Sequence, residues 1–109
     1  MSLWKPPEAK SEPTTELFRW KVIEMASEGQ EPTRHFVGRV IYGYGTEGRV
    51  SSAIQEFDKE TKTGITRSGR RYTLAGDSGS CGDADYVLDR WKRINNITIE
   101  KDVSEEYSS

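Results

Sequence analysis

The stretch Arg49–Gly76, RVSSAIQEFDKETKTGITRSGRRYTLAG, decides how this chain folds. Val50, Ser52 and Ile54 alternate with Ser51, Ala53 and Gln55, and Phe57 carries the apolar set further. A period of two marks a strand that lays one face on a core. Asp58 to Gly64 is polar and ends in glycine. Ile65-Thr66-Arg67 then resumes extended character, and Ser68-Gly69 supplies a reversal before Arg70-Arg71-Tyr72-Thr73-Leu74. The prediction is a β-meander of three short strands. Its solvent face is basic.

Upstream, Arg34 to Tyr44 (RHFVGRVIYGY) reads as a strand, with Gly38 and Gly43 marking a bulge or sharp bend. Before it, Phe18, Trp20 and Val22 alternate with Arg19, Lys21 and Ile23. A strand is favoured there over a short helix sharing Leu17, Trp20, Ile23 and Glu24, because β-branched and aromatic residues suit a pleated surface. Residues 27–33 read as a loop and Gly45–Gly48 as a turn. Residues 1–14 contain Pro6, Pro7 and Pro13 and read as a disordered arm. Leu3 and Trp4 within it either pack back on the domain or anchor a partner, tryptophan being a preferred interface residue.

Downstream, Asp77–Gly82 is a loop by composition. Asp83 is a natural N-cap with Asp85 in the first turn, and Ala84, Val87, Leu88, Trp91 and Ile94 form one apolar stripe at helical spacing. That predicts a helix over about 83–95, ended by Asn95-Asn96. Ile97, Ile99 and Val103 predict a last edge strand, and residues 104–109 an acidic tail. The expected fold class is α+β: a mainly antiparallel, strongly bent or barrel-like sheet of five to six strands with one C-terminal amphipathic helix. Residues 15–103 would form a single β-rich domain, and an SH3-like barrel, an OB-like barrel and an open sheet all fit.

A chain of 109 residues with 33% hydrophobic and 31% charged residues has room for one domain and a modest core. It holds no apolar run of membrane-spanning length. The opening Met-Ser-Leu-Trp-Lys-Pro-Pro develops no signal-like apolar stretch, and Cys81 has no second cysteine to pair with. Both point to a reducing, cytoplasmic setting. The net charge of −2 hides a segregation. Thr33–Gly76 carries eight basic residues against four acidic ones, whereas the last ten residues hold Glu100, Asp102, Glu105 and Glu106 against Lys101. The acidic end either leaves the basic body free to steer an anionic partner or covers it.

Catalytic constellations are weak. Gly76-Asp77-Ser78-Gly79 matches the tetrapeptide around a serine-protease nucleophile, which needs a base in hydrogen-bond reach and an oriented acid. His35 is the only histidine, the chain is about half the length of such enzymes, and a Gly/Ser loop accounts for the segment. Cys81 with His35 as base is a second arrangement. Its sulfur would lie near the positive end of the helix dipole, where reactive thiols occur. No metal-ligand spacing and no phosphate-cradling glycine loop is present, so no metal and no cofactor is expected.

What stands out is a basic-aromatic face. Arg67, Arg70 and Arg71 flank the Ser68-Gly69 turn, Tyr72 follows at once, and Arg39, Tyr42, Tyr44 and Arg49 belong to neighbouring strands. Arginine and tyrosine are recruited as anchors at protein interfaces. On a curved sheet they also bind single-stranded nucleic acid, charge meeting phosphate and rings meeting bases. A solvated charged face that deters edge pairing is the third reading. With acidity outweighing basicity overall, the expectation is a non-enzymatic module that binds an acidic protein surface, with nucleic acid as the alternative, a thiol enzyme at Cys81 as a third, and no membrane.

Three quoted segments, His35–Gly38 (HFVG), Gly48–Leu74 (GRVSSAIQEFDKETKTGITRSGRRYTL) and Asp83–Asn95 (DADYVLDRWKRIN), resemble small uncharacterised proteins of proteobacteria that occur among genes of mobile elements. The resemblance covers about residues 35–95. It implies a bacterial cytoplasmic setting and gives no residue a role.

Overall fold

The computed structural model describes residues 14–108. The arm read over residues 1–14, with Leu3 and Trp4, lies outside them except for Thr14. Seven strands, one α-helix and one 3-10 turn follow in order: β1 (Thr15–Ser27), β2 (Thr33–Tyr42), β3 (Gly45–Val50), β4 (Ile54–Asp58), β5 (Thr63–Thr66), β6 (Arg71–Ala75), α1 (Gly82–Ile94), β7 (Ile97–Asp102) and the 3-10 turn Ser104–Tyr107. The fold is α+β with one helix, as the sequence predicts, and the sheet is mostly antiparallel. It runs β3-β2-β1-β6-β5-β4, with β7 added to β1.

Two expectations about the sheet are corrected. It holds seven strands, and it stays open instead of closing into a barrel; within the mainly antiparallel order one pairing is parallel, β1 meeting β6 from Thr15↔Tyr72 to Phe18↔Ala75. The cause is β1. Its thirteen residues exceed the length of any neighbour on its second edge. The first four residues of β1 take β6 in parallel, and Ile23 to Ser27 take β7 antiparallel. Between them the chain fills the gap with other partners. Gly79 N–H donates to the Trp20 carbonyl at 2.8 Å, and Val22 N–H donates to Ser104 Oγ at 2.9 Å. Val103 N–H donates to the Val22 carbonyl at 2.9 Å. Buried backbone groups need such partners wherever a ladder stops.

A bulge sets the facing of β1. Its register against β2 shifts between Phe18 and Lys21, and Arg19 adopts a positive φ of 51°. Strand side chains alternate, so Leu17 and Trp20 belong on opposite faces of a regular strand. The extra residue brings both into one cluster with Val22, Phe36, Tyr72 and Leu74. Phe18, which the simple alternation groups with Trp20, is only half-buried. The expected irregularity near Gly38 therefore lies in the partner strand. Gly38 makes room for it: a Cβ there would meet the Phe18 carbonyl oxygen at 3.2 Å and Leu17 Cβ at 3.3 Å.

The single strand read across Val50–Phe57 is two. β3 ends at Val50, residues 51–53 cross over, and β4 begins at Ile54 on the far edge of the sheet. Ser51 makes the crossing tolerable by satisfying Phe36 on both sides. Its N–H donates to the Phe36 carbonyl at 2.9 Å, and its Oγ accepts from Phe36 N–H at 2.9 Å. Gly45–Gly48, read as a turn, opens β3 instead. The β4–β5–β6 meander and the edge strand β7 form where the sequence places them.

The sheet buries both faces over part of its area. On the inner face Phe36 packs among Phe57, Tyr72 and Tyr107, with ring centroids 5.7 to 6.3 Å from its own. Tyr107 arrives from the segment read as an acidic tail and is 9% exposed. On the other face α1 lays Ala84 and Leu88 on Ile23, Met25 and Val37. The helix starts one residue early, with Cys81 and not Asp83 at the N-cap position, and Ile94 of the expected stripe is 70% exposed. Substituting a buried aromatic by alanine typically costs about 3–5 kcal/mol, against about 0–1 kcal/mol for a surface ion pair. The aromatic inner cluster, not the peripheral ion pairs, carries the stability.

Gly48 on β3 lies directly under the first turn of α1, where a Cβ would overlap the Asp83 carbonyl. Gly48→Ala is expected to destabilise by about 1–3 kcal/mol in urea unfolding, because backbone meets backbone and no rotamer can yield. Gly43→Ala, with open space around it, should change stability by about 0.5 kcal/mol or less. Equal effects would mean that the helix is not seated on β3.

Candidate functional site

Three strand ends meet where β1 begins. The antiparallel pairing puts the start of β1 beside the end of β2, and the parallel pairing brings the start of β6 to the same place. A hollow of about 350 Å³ opens there, lined among others by Glu16, Ile41, Tyr42, Arg49 and Arg70. The register explains which side chains face it. Tyr42, Glu47 and Arg49 share the inner face, because Tyr42 pairs with Gly45, Val40 with Glu47 and Gly38 with Arg49.

Three of these form a closed hydrogen-bonded unit. Tyr42 Oη donates to Glu47 Oε1 at 2.9 Å, and Arg49 Nη2 donates to Tyr42 Oη at 3.0 Å and to Glu47 Oε1 at 3.4 Å. The bond to Glu47 pushes the Tyr42 hydroxyl above its ordinary value. Burial works against the charge on Arg49, but the acceptors Tyr72 and Glu47, with Tyr42 beside it, more than offset that and hold it firmly protonated. Tyr44, at the tip of the β2–β3 hairpin, lies flat on Tyr42 with centroids 5.3 Å apart and planes 8° from parallel. Its other face is open, at 89% exposure.

The eight residues singled out in the sequence are thus distributed. Tyr42, Tyr44, Arg49 and Arg70 come together at the hollow. Arg67 sits exposed in the β5–β6 turn, its N–H donated to the Ala53 carbonyl at 2.8 Å. Tyr72 is 3% exposed and belongs to the inner core, so its ring is not available to a surface ligand. Arg39, paired with Phe18 and Gly48, falls on the helix side of the sheet. Arg71, the first residue of β6, faces away from buried Tyr72 and lines a different hollow with Glu56 and Asp58. The basic hairpin is not one surface.

None of Arg67, Arg70 and Arg71 takes part in an ion pair among the described residues. The acidic C-terminal residues spend their charge elsewhere. Glu106 pairs with Arg34 at 2.8 Å and Glu100 with Lys92 at 2.7 Å. Arg34 also holds Glu24 at 2.9 Å, and its hydrogen bond keeps the Glu106 carboxyl below the ordinary carboxylate range. Glu47 is not among the residues the sequence singles out for the site; its signal is the period-two spacing Glu47–Arg49, hidden because that segment reads as a turn.

His35, the base that a Ser78 or Cys81 nucleophile would require, is 4% exposed and spends both ring nitrogens. Nδ1 lies 2.8 Å from the Ser51 carbonyl, which only accepts, so Nδ1 carries the proton. Nε2 then accepts from the Thr33 hydroxyl at 2.7 Å, and the ring packs on Trp91 with centroids 4.7 Å apart. No group of three or more histidine, cysteine, aspartate or glutamate side chains among the described residues is placed to hold a metal ion. No helix among them is long and apolar enough to cross a membrane. Comparison with protein-family models, with curated proteins and with solved structures finds no significant match to this chain.

Burial lowers the His35 pKa below its ordinary 6.5. The unfolded chain therefore takes up this proton first as pH falls, and stability drops from about pH 6.5 down to the folded value. The urea midpoint is expected to be level above that window and to decline within it. His35→Asn, which keeps a donor for Ser51 but does not titrate, should lose that decline. A decline that persists in the variant would place the titrating group elsewhere.

Proposed function

We propose that this chain is a non-enzymatic binding module that holds an acidic segment of a partner protein against the open end of its inner sheet face. The observation that supports this reading is Arg70. Its charge has no carboxylate partner among the described residues, and it borders a hollow whose other cation, Arg49, is fixed by Tyr42 and Glu47. Arg49 is anchored and partly neutralised, so it positions a ligand, while Arg70 and the nearby Arg67 supply the attraction. Tyr44, exposed by 89%, offers the apolar contact that interface anchors provide. A bacterial cytoplasmic setting belongs to the same reading.

Single-stranded nucleic acid is the second reading, favoured by one observation. The stacked Tyr42–Tyr44 pair leaves an outer aromatic face on which a base can lie. The net charge of −2 weighs against it.

One set of titrations separates the two. Labelled acidic peptides carrying a single aromatic residue, and DNA and RNA oligonucleotides of equal charge, are followed by fluorescence anisotropy at two salt concentrations. The peptides are expected to bind better. Arg67→Ala with Arg70→Ala should weaken them by about 1–2 kcal/mol, as two exposed charge contacts would, with an unchanged unfolding midpoint. Peptide affinity equal in the variant and the parent would overturn the protein reading. Oligonucleotide binding that falls steeply with salt and loses about 1–3 kcal/mol on Tyr44→Ala would replace it with the nucleic-acid one.

A further inference from the structure

Arg71, which the basic-aromatic end leaves out, has a site of its own. The register lays the outward side chains of β4, β5 and β6 in two rows: Glu56, Ile65 and Arg71 in one, Asp58, Thr63 and Thr73 in the other. The hollow over them measures about 510 Å³ and also touches Thr61. Ile65 stands between the carboxylate of Glu56 and the guanidinium of Arg71. The outer two residues are two strand spacings apart, roughly 9.5 Å between Cα atoms. No ion pair among the described residues involves Glu56, Asp58 or Arg71.

Opposite charges are thus held apart across an apolar step. Arg71 Nε is buried and has no acceptor among the described residues, which leaves a desolvated donor in want of an anion. The two carboxylates on the far side repel a simple anion and attract a cation. A ligand with only one charge meets half of this surface and suffers from the other half.

We propose that this face binds the carboxylate end of a basic amino acid. The ligand carboxylate accepts from Arg71, the alkyl stem crosses half-buried Ile65, and the side-chain cation reaches Glu56 and Asp58. Lysine, with its flexible four-carbon stem, fits a row of this width. Its α-ammonium donates to the hydroxyls of Thr61 or Thr63. The charges agree as well: the lining carries one net negative charge from two carboxylates and one guanidinium, and free lysine carries one net positive. The same chemistry is offered by the free amino acid and by the last residue of a peptide.

Backbone amide shifts of the full isotope-labelled chain test the assignment. L-lysine, the tripeptide Gly-Gly-Lys, pentylamine and pentanoate are titrated in parallel. Saturable shifts centred on Glu56, Ile65 and Arg71 are expected with lysine, with the tripeptide, or with both, and which of them binds identifies the source. Pentylamine and pentanoate, each with one charge, should bind about tenfold or more weakly. Arg71→Gln and Glu56→Gln should each weaken lysine by about tenfold, while Arg70→Gln leaves it unchanged. Glu56 is exposed, so Glu56→Gln decides the matter if Arg71→Gln fails to fold. Absence of saturable shifts with both lysine and the tripeptide overturns the proposal. So does pentylamine binding as well as lysine, or lysine affinity untouched by Glu56→Gln.

Discussion

The hydrogen-bonding capacity of β1 is the constraint from which the rest of the molecule follows. A strand of thirteen residues in the middle of a sheet exposes two full edges of donors and acceptors. One edge is met by β2 alone. The other is met piecewise by β6, the loop after it, Ser104 and β7. Every element after residue 70 has a bond to β1 or a contact with the layer that β1 builds. The parallel pairing, the open sheet and the docked C-terminal turn are three outcomes of one accounting problem.

That arrangement also places the chemistry. Because β6 runs parallel to β1, Arg70 arrives at the end of the sheet where β2 and β3 deliver Tyr42, Glu47 and Arg49. Arg71 opens β6 on the face opposite to Tyr72, in one row with Ile65 and Glu56, beside carboxylates two strands away. Two adjacent arginines, indistinguishable by composition, thereby acquire different neighbours. The sheet itself lies between the two faces, with the aromatic cluster of Phe36, Phe57, Tyr72 and Tyr107 packed on its inner side.

Local signals were legible where local geometry decides. The 67–69 turn, the meander and the helix follow from alternation, turn residues and a 3.6 period, all of which act over a few residues. Tyr42, Tyr44, Arg49 and Arg70 stand among eight basic and aromatic residues that the sequence singles out, and the parallel β1–β6 pairing, which no local signal encodes, is what joins Arg70 to the other three. The parity of β1 could not be read, because the bulge at Arg19 depends on the space that Gly38 provides from another strand. Nor could the break at Ser51–Ala53: Val50 and Ile54 continue one alternation in the sequence, yet Val50 packs on the helix side and Ile54 on the inner cluster, and only the change of paired edge explains it. Tyr72 followed three arginine-rich positions and looked like part of their surface. Its burial depends on Gly64 opposite, whose missing side chain admits the Phe36 ring. Tyr107 sat among acidic residues that read as solvated, and its anchor is Arg34, more than seventy positions earlier in the chain.

The divided edge of β1 has a consequence for how the molecule assembles. Strand one is written first but completed last, because Val22 waits for a hydroxyl 82 residues further along. Closing loops of that span makes for slow folding. Meanwhile a long, apolar, half-paired edge is open to other chains. Whatever delays the C-terminal segment therefore prolongs the exposure of that edge.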